Sequence, residues 1–185
     1  MADVNILAPF IFSYEGGYAW LKGDAGGPTN KGVTLKTWKT YGYDKNADGI
    51  IDIEDIKLIT NEDATIIMKK FFWDLYKADY IKDQSVANIC VDWLWMSGKP
   101  AITYVQKLVG TYADGIVGPK TLNAINGRDP RKLFDAIKKR RNTYYYTICA
   151  NRPDNYRFLN GWLRRLKNLK YGELIYADEK TKVKF

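Results

Sequence analysis

The chain has 185 residues, 29 Lys and Arg against 21 Asp and Glu, a formal net charge of +8 and no histidine. With 46% hydrophobic and 15% aromatic residues it can bury a core, which excludes an intrinsically disordered chain. The lack of histidine excludes imidazole catalysis and most zinc sites.

Ile6, Leu7, Phe10, Ile11 and Tyr14 recur at helical spacing, with Asn5 as the candidate cap and Pro9 placed in the first turn. Gly16-Gly17 should stop this helix by entering the left-handed region. Glu15 then sits on the last turn, at the negative end of the helix dipole. That setting favours a protonated carboxyl, which the general acid of a glycosidase needs. The stretch Gly23 to Thr34 is glycine-rich and reads as a small hairpin. Leu35 to Tyr41 and Ile53 to Ile59 read as short helices around the loop Asp44 to Asp55.

That loop follows the EF-hand pattern, with Asp44, Asn46, Asp48, the Ile50 carbonyl, Asp52 and Asp55 as oxygen donors and Gly49 at the sharp turn. Asp55 stands where the pattern has glutamate, and its shorter side chain makes bidentate coordination harder. A Ca²⁺ held here would be structural; an acidic turn that keeps the shape without an ion is the alternative.

Thr60 to Asp63 reads as a capping box opening a helix through Ile66, Ile67, Phe71 and Leu75. Ser85 should cap a very apolar helix carrying Val86, Ile89, Cys90, Trp93, Leu94 and Met96, the expected buried axis. Gly110 stops the next helix, and Pro119 opens another after the turn Asp114-Gly115. Asp129-Pro130 starts a long helix with Leu133, Phe134, Ile137, Tyr144 and Ile148 inward; a last one follows Pro153 with Trp162 and Leu166. The charged tail from Lys170 is expected to be loosely held. Cys90 and Cys149, far apart in apolar patterns, read as buried free thiols.

Glu15-Gly16-Gly17-Tyr18, followed by Asp24, Gly26-Gly27, Thr29-Asn30 and Gly32-Val33-Thr34, closely resembles the signature of the glycoside hydrolase family 108 N-acetylmuramidases. These are lysozyme-like enzymes that cut peptidoglycan. The stretch from Tyr41-Gly42 to Phe72-Trp73 resembles the rest of that catalytic domain. Val105 to Leu108 and Ala113 to Leu122 resemble the predicted peptidoglycan-binding domain that follows it. The resemblance implies a mainly α, lysozyme-like α+β fold, with a small β-hairpin lobe near the N-terminus and a helical C-terminal half. It divides the chain into a catalytic region 1–80, a helical peptidoglycan-binding region 81–171 able to share the same core, and a charged tail 172–185.

It also implies hydrolysis of the β-1,4 bond between N-acetylmuramic acid and N-acetylglucosamine with Glu15 as general acid. Asp24, alone or with the hydroxyl of Thr34 or Thr29, would position the water, and Thr34 is the preferred partner. Paired carboxylates stand about 6.5–9.5 Å apart in inverting enzymes and about 5–5.5 Å in retaining ones. Tyr18, Trp20, Thr29 and Asn30 are the substrate-binding candidates, with core packing competing for Trp20.

A lytic transglycosylase would use the same Glu15, and a calcium-regulated or wall-binding module without activity is the third reading. Catalysis requires no cofactor. The basic surface suits an anionic wall polymer; without a helix-turn-helix or zinc-finger pattern, nucleic acid is disfavoured. Neither a signal peptide nor a membrane span is expected. A monomer made in the bacterial cytoplasm would then reach the wall through a phage-type holin, lysis or dedicated secretion.

Overall fold

Helix α5 (Gln84–Ser97) is the axis on which the other elements are laid in this computed structural model, which describes residues 1–19 and 27–185. Every residue from Ser85 to Leu94 is buried, as a helix apolar on all sides requires. Its cap is Asp83, whose side chain accepts the Val86 N–H at 2.9 Å. Ser85, the cap expected from sequence, is buried and takes the N–H of Gly172 instead.

Helix α1 (Val4–Tyr14) is capped by Asp3 rather than Asn5, because the Asp3 carboxylate accepts the Asn5 N–H at 2.8 Å. The earlier start leaves Pro9 inside the helix rather than in its first turn, where burial of Leu7, Ala8, Phe10 and Ile11 offsets the missing hydrogen bond. The helix stops at Glu15, which is extended at φ −82° and ψ 142°, and neither Gly16 nor Gly17 turns left-handed.

Strands β1 (Thr29–Asn30) and β2 (Val33–Thr34) form the expected small hairpin, with Thr29 opposite Thr34 and Asn30 opposite Val33. Lys31 and Gly32 both have positive φ, 51° and 78°, as a two-residue type I′ turn demands. Thr34 ends the hairpin by capping α2 (Leu35–Tyr41), its hydroxyl accepting the Thr37 N–H at 3.1 Å.

Helix α3 (Ile53–Leu58) precedes α4 (Asn61–Met68), which opens with the reciprocal capping box of Thr60 and Asp63. Beyond Met68 the chain widens into a π-helical turn, Lys69–Trp73. The extra residue per turn rotates the face, so Trp73 is buried and Leu75 is exposed; Ile66 also points to solvent. Helices α6 (Lys99–Val109), α7 (Pro119–Asn126), α8 (Pro130–Asn151) and α9 (Tyr156–Asn168) complete the helical set. Asp129 caps α8 through the Lys132 N–H at 2.8 Å, as its sequence position before Pro130 predicts. Buried Gln106 pins the Asp114-Gly115 turn, donating to the Asp114 carboxylate and accepting the Gly115 N–H.

The charged tail is not loose. Strands β3 (Leu169–Lys170), β4 (Glu173–Ile175) and β5 (Lys182–Lys184) form an antiparallel sheet in that order. Leu174 is fully buried, the Tyr14 hydroxyl donates to the Ile175 carbonyl, and Ser13 Oγ accepts the Ala177 N–H. The lysines of β5 alternate with Val183, so the charge sits on the outer face of a docked strand.

One hydrophobic cluster joins Leu7 and Phe10 of α1, Ile89 and Trp93 of α5, Ile137 and Cys149 of α8 and Leu166 of α9. The two regions read from sequence therefore share a core. Both cysteines are free and buried, and burial pushes the Cys90 thiol up to about 12. Replacing Leu174 with alanine should destabilise the protein by about 2–5 kcal/mol in chemical denaturation. A change near zero would show that β4 is not part of the cooperative unit.

Candidate active site

Glu15 lies where α1 ends, three-quarters buried at its side chain. Two donors meet on one oxygen of its carboxylate: Trp95 Nε1 at 2.8 Å and Arg165 Nη1 at 3.2 Å. The hairpin turn closes against this group from the other side. A Cβ placed on Gly32 would meet the Trp95 ring at 2.5 Å and Glu15 Cγ at 3.6 Å, so a side chain is excluded there by sterics as well as by its positive φ. Trp95 is itself braced by Phe72, ring centroids 4.6 Å apart.

Behind Glu15 runs a line of buried charges. Arg165 Nε and Nη2 donate to Asp92 Oδ1 at 2.9 and 2.6 Å, and Arg141 Nη2 stands 2.7 Å from Asp92 Oδ2. Arg141 Nε continues to the Tyr145 hydroxyl at 2.6 Å. Asp92 and Arg141 are inaccessible, and Arg165 is almost so. Burial disfavours charge on Asp92, but the two guanidiniums outweigh it and hold its carboxyl below its usual value. Glu15, Arg165, Asp92 and Arg141 alternate in sign, so their formal charges cancel when Glu15 is ionised.

The other residues singled out from sequence are dispersed. Asp24 and Trp20 lie outside the described residues. The hydroxyl of Thr34 is engaged as the α2 cap and stands 3.0 Å from the Thr37 hydroxyl. Thr29 bridges Ala19 through backbone hydrogen bonds of 2.8 and 2.9 Å. Asn30 is buried and donates to the Ile56 carbonyl at 2.8 Å, fastening the hairpin to α3. Tyr18 is partly exposed, with Lys57 Nζ 5.8 Å from its ring centroid.

The loop 44–55 has its turn glycine, Gly49 at φ 88°, but its donors are committed to the backbone. Asp44 accepts the N–H groups of Ala47 and Gly49, Asn46 that of Asp48, Asp48 that of Ile50 and Asp52 that of Glu54. Asp55 is fully buried and takes the N–H groups of Lys45, Asn46 and Asp52. Burial opposes its charge, yet these donors hold its carboxyl below its usual value. Among the described residues no three acidic or cysteine side chains gather as a metal site would need. These bonds hold the loop in its turn conformation.

The basic run Lys138 to Arg141 is divided between the core and the surface. Arg141 belongs to the buried line and Arg140 stacks on Tyr104 at 4.1 Å. Lys138 donates to the Leu169 carbonyl at 2.6 Å, and burial brings its ammonium down to about 8.

Trp95, Arg165, Asp92 and Arg141 escaped the sequence reading. One signal was present: Asp92 interrupts an otherwise apolar helix, and a buried carboxylate needs cationic partners. Arg141 and Arg165 both lie on the apolar stripes of amphipathic helices, four residues after Ile137 and one before Leu166.

Comparison with known proteins places the chain in a family. Residues 8–98 match the family described as Glycosyl hydrolase 108, and residues 100–167 match the Predicted Peptidoglycan domain. Together these segments span most of the chain, and the protein belongs to the glycosyl hydrolase 108 family. It is a lysozyme-type glycoside hydrolase that acts on peptidoglycan. The structure of Brucella abortus SagA is similar, with 27% identity, 90% of each chain covered and a TM-score of 0.69. A search of curated proteins gave no match. Among the described residues no helix is long and apolar enough to cross a membrane.

Asp92→Asn leaves two buried guanidiniums without a counter-charge and should destabilise the protein by about 3–5 kcal/mol. Because the folded carboxyl titrates below its unfolded value, its contribution is complete above about pH 4 and is lost as pH falls through the folded value. Acid unfolding of Asp92→Asn should therefore be flatter in that range than acid unfolding of the wild type. Parallel curves would contradict the charge line. Added Ca²⁺ or chelator should leave the melting temperature unchanged; a rise with Ca²⁺ would show that the loop surrenders its backbone bonds to an ion.

Proposed function

We propose that Glu15 is the general acid that cleaves the β-1,4 bond between N-acetylmuramic acid and N-acetylglucosamine. The observation that carries this reading is the doubly held carboxylate at the hairpin, between Trp95, Arg165 and the backbone of Gly32. A general acid must be fixed within hydrogen-bond reach of the leaving oxygen, and Glu15 is fixed from two helices. As the bond from C1 to the glycosidic oxygen breaks, Glu15 gives its proton to that oxygen and water adds at C1. Asp24 follows the motif that this chain shares with the family and is assigned the activation of that water. Tyr18 and Trp20 are assigned to sugar stacking, and Thr29 to the groove edge. Thr34 is assigned to the hairpin edge next to the water, where its capping bond would fix the hydroxyl.

The net charge of +8 suits an anionic wall polymer and supports long-range attraction that salt screens beyond about 8–10 Å. We assign the chain to action as a monomer on the wall, reached by a holin, by lysis or by dedicated secretion.

Glu15→Gln keeps the shape and removes the proton, so turnover of purified sacculi should fall by about 10²–10⁴-fold with unchanged circular dichroism. Reducing muramic ends released by the wild type support the hydrolase, whereas anhydro-muramic ends would move the reaction to transglycosylation. Sacculi bound without new ends of either kind would leave only a binding module.

A further inference from the structure

We propose that Trp95 is a positioning residue for the reaction, holding Glu15 so that its transferable proton resides on Oε2. The inference rests on the assignment of Glu15 as general acid. A carboxylate oxygen offers two lone pairs, and both donors seen here, the Trp95 indole N–H and Arg165 Nη1, converge on Oε1 at 2.8 and 3.2 Å. Protonation of Oε1 would force out one of them. Among the described residues Oε2 takes no hydrogen bond, so the proton goes there, and Oε2 is the atom to meet the glycosidic oxygen.

The indole is built for this duty. Trp95 lies one turn from Asp92 on α5, its ring wedged between Phe72 and the backbone of Gly32. It cannot swing away without opening the hairpin contact. Arg165 is held at the opposite end by Asp92, so the two donors approach from separately anchored helices, α5 and α9. Among the described residues the charged and titratable groups facing Glu15 are Arg165 from α9, with Asp92 of α5 and Arg141 of α8 behind it. Tyr14 of α1 lies beside them, its hydroxyl taken by Asn168. The neutral indole differs from all of these, because it directs the carboxylate without adding charge.

Trp95→Phe keeps a ring against Phe72 and Gly32 and removes only the N–H. A lost donor to the carboxylate disfavours its ionised form. The alkaline limb of the pH–rate profile should therefore move to higher pH. On the plateau kcat should fall by about tenfold, as a loosened acid implies, with KM unchanged. A purely structural tryptophan would lower the melting temperature and the active fraction while leaving the limb in place, and that result overturns the proposal.

A second readout does not depend on turnover. In wild type the Trp95 indole N–H resonance should shift with pH along the alkaline limb, and in Glu15→Gln it should be pH-independent. An indole signal indifferent to both pH and Glu15 would show that the contact does not exist in solution. If the indole follows Glu15 while Glu15→Gln remains fully active, the general-acid assignment fails although the contact stands, and Trp95 then has no acid to position.

Discussion

Asp92 is a carboxylate in the middle of a helix with no access to water, and the rest of the site is arranged around that fact. An unpaired charge there would carry a desolvation penalty of several kcal/mol. It is met by Arg141 from α8 and Arg165 from α9, so one side chain on α5 fixes the position of two further helices. Arg165 still has a donor to spare, and this reaches Glu15. A hydrophobic trio of similar volume could give equal stability. What such a trio could not do is deliver a guanidinium to a fixed point at the end of α1.

The candidate site consequently does not belong to one segment. Glu15, Gly32, Asp92 and Trp95 fall within the glycosyl hydrolase 108 match, while Arg141 and Arg165 fall within the Predicted Peptidoglycan domain match. The shared core says the same thing in apolar terms, and so does the C-terminal sheet, which packs back on α1 through Tyr14, Ser13 and Phe10. The second segment supplies Arg165, which holds the Glu15 carboxylate.

Local signals were readable wherever a single short-range rule decides the conformation. Asp129-Pro130, the Thr60 box and the Leu35–Tyr41 helix all follow from capping chemistry. The hairpin followed from its glycine-rich stretch. What could not be read were long-range partnerships. Arg141 could not be told apart from its basic neighbours, because charge alone does not say which cations a buried aspartate claims. The tail looked mobile because its apolar residues are few, a single run Leu174-Ile175-Tyr176 set between charged stretches. Their docking surface is α1, about 160 residues away in the chain. Pairing over such distances leaves no periodic trace. The EF-hand pattern is local and clear in its spacing, and its last carboxylate, Asp55, accepts the backbone N–H groups of Lys45 and Asp52.

The most direct measurement compares leaving groups. A muroglycan carrying a nitrophenyl aglycone needs little proton donation, whereas the natural glycan needs it fully. If Glu15 is the acid held by Trp95 and Arg165, Glu15→Gln should lose about 10²–10⁴-fold on the natural glycan and retain most of its rate on the activated one. Equal losses on both substrates would contradict that account and leave Glu15 with a structural part in the charge line.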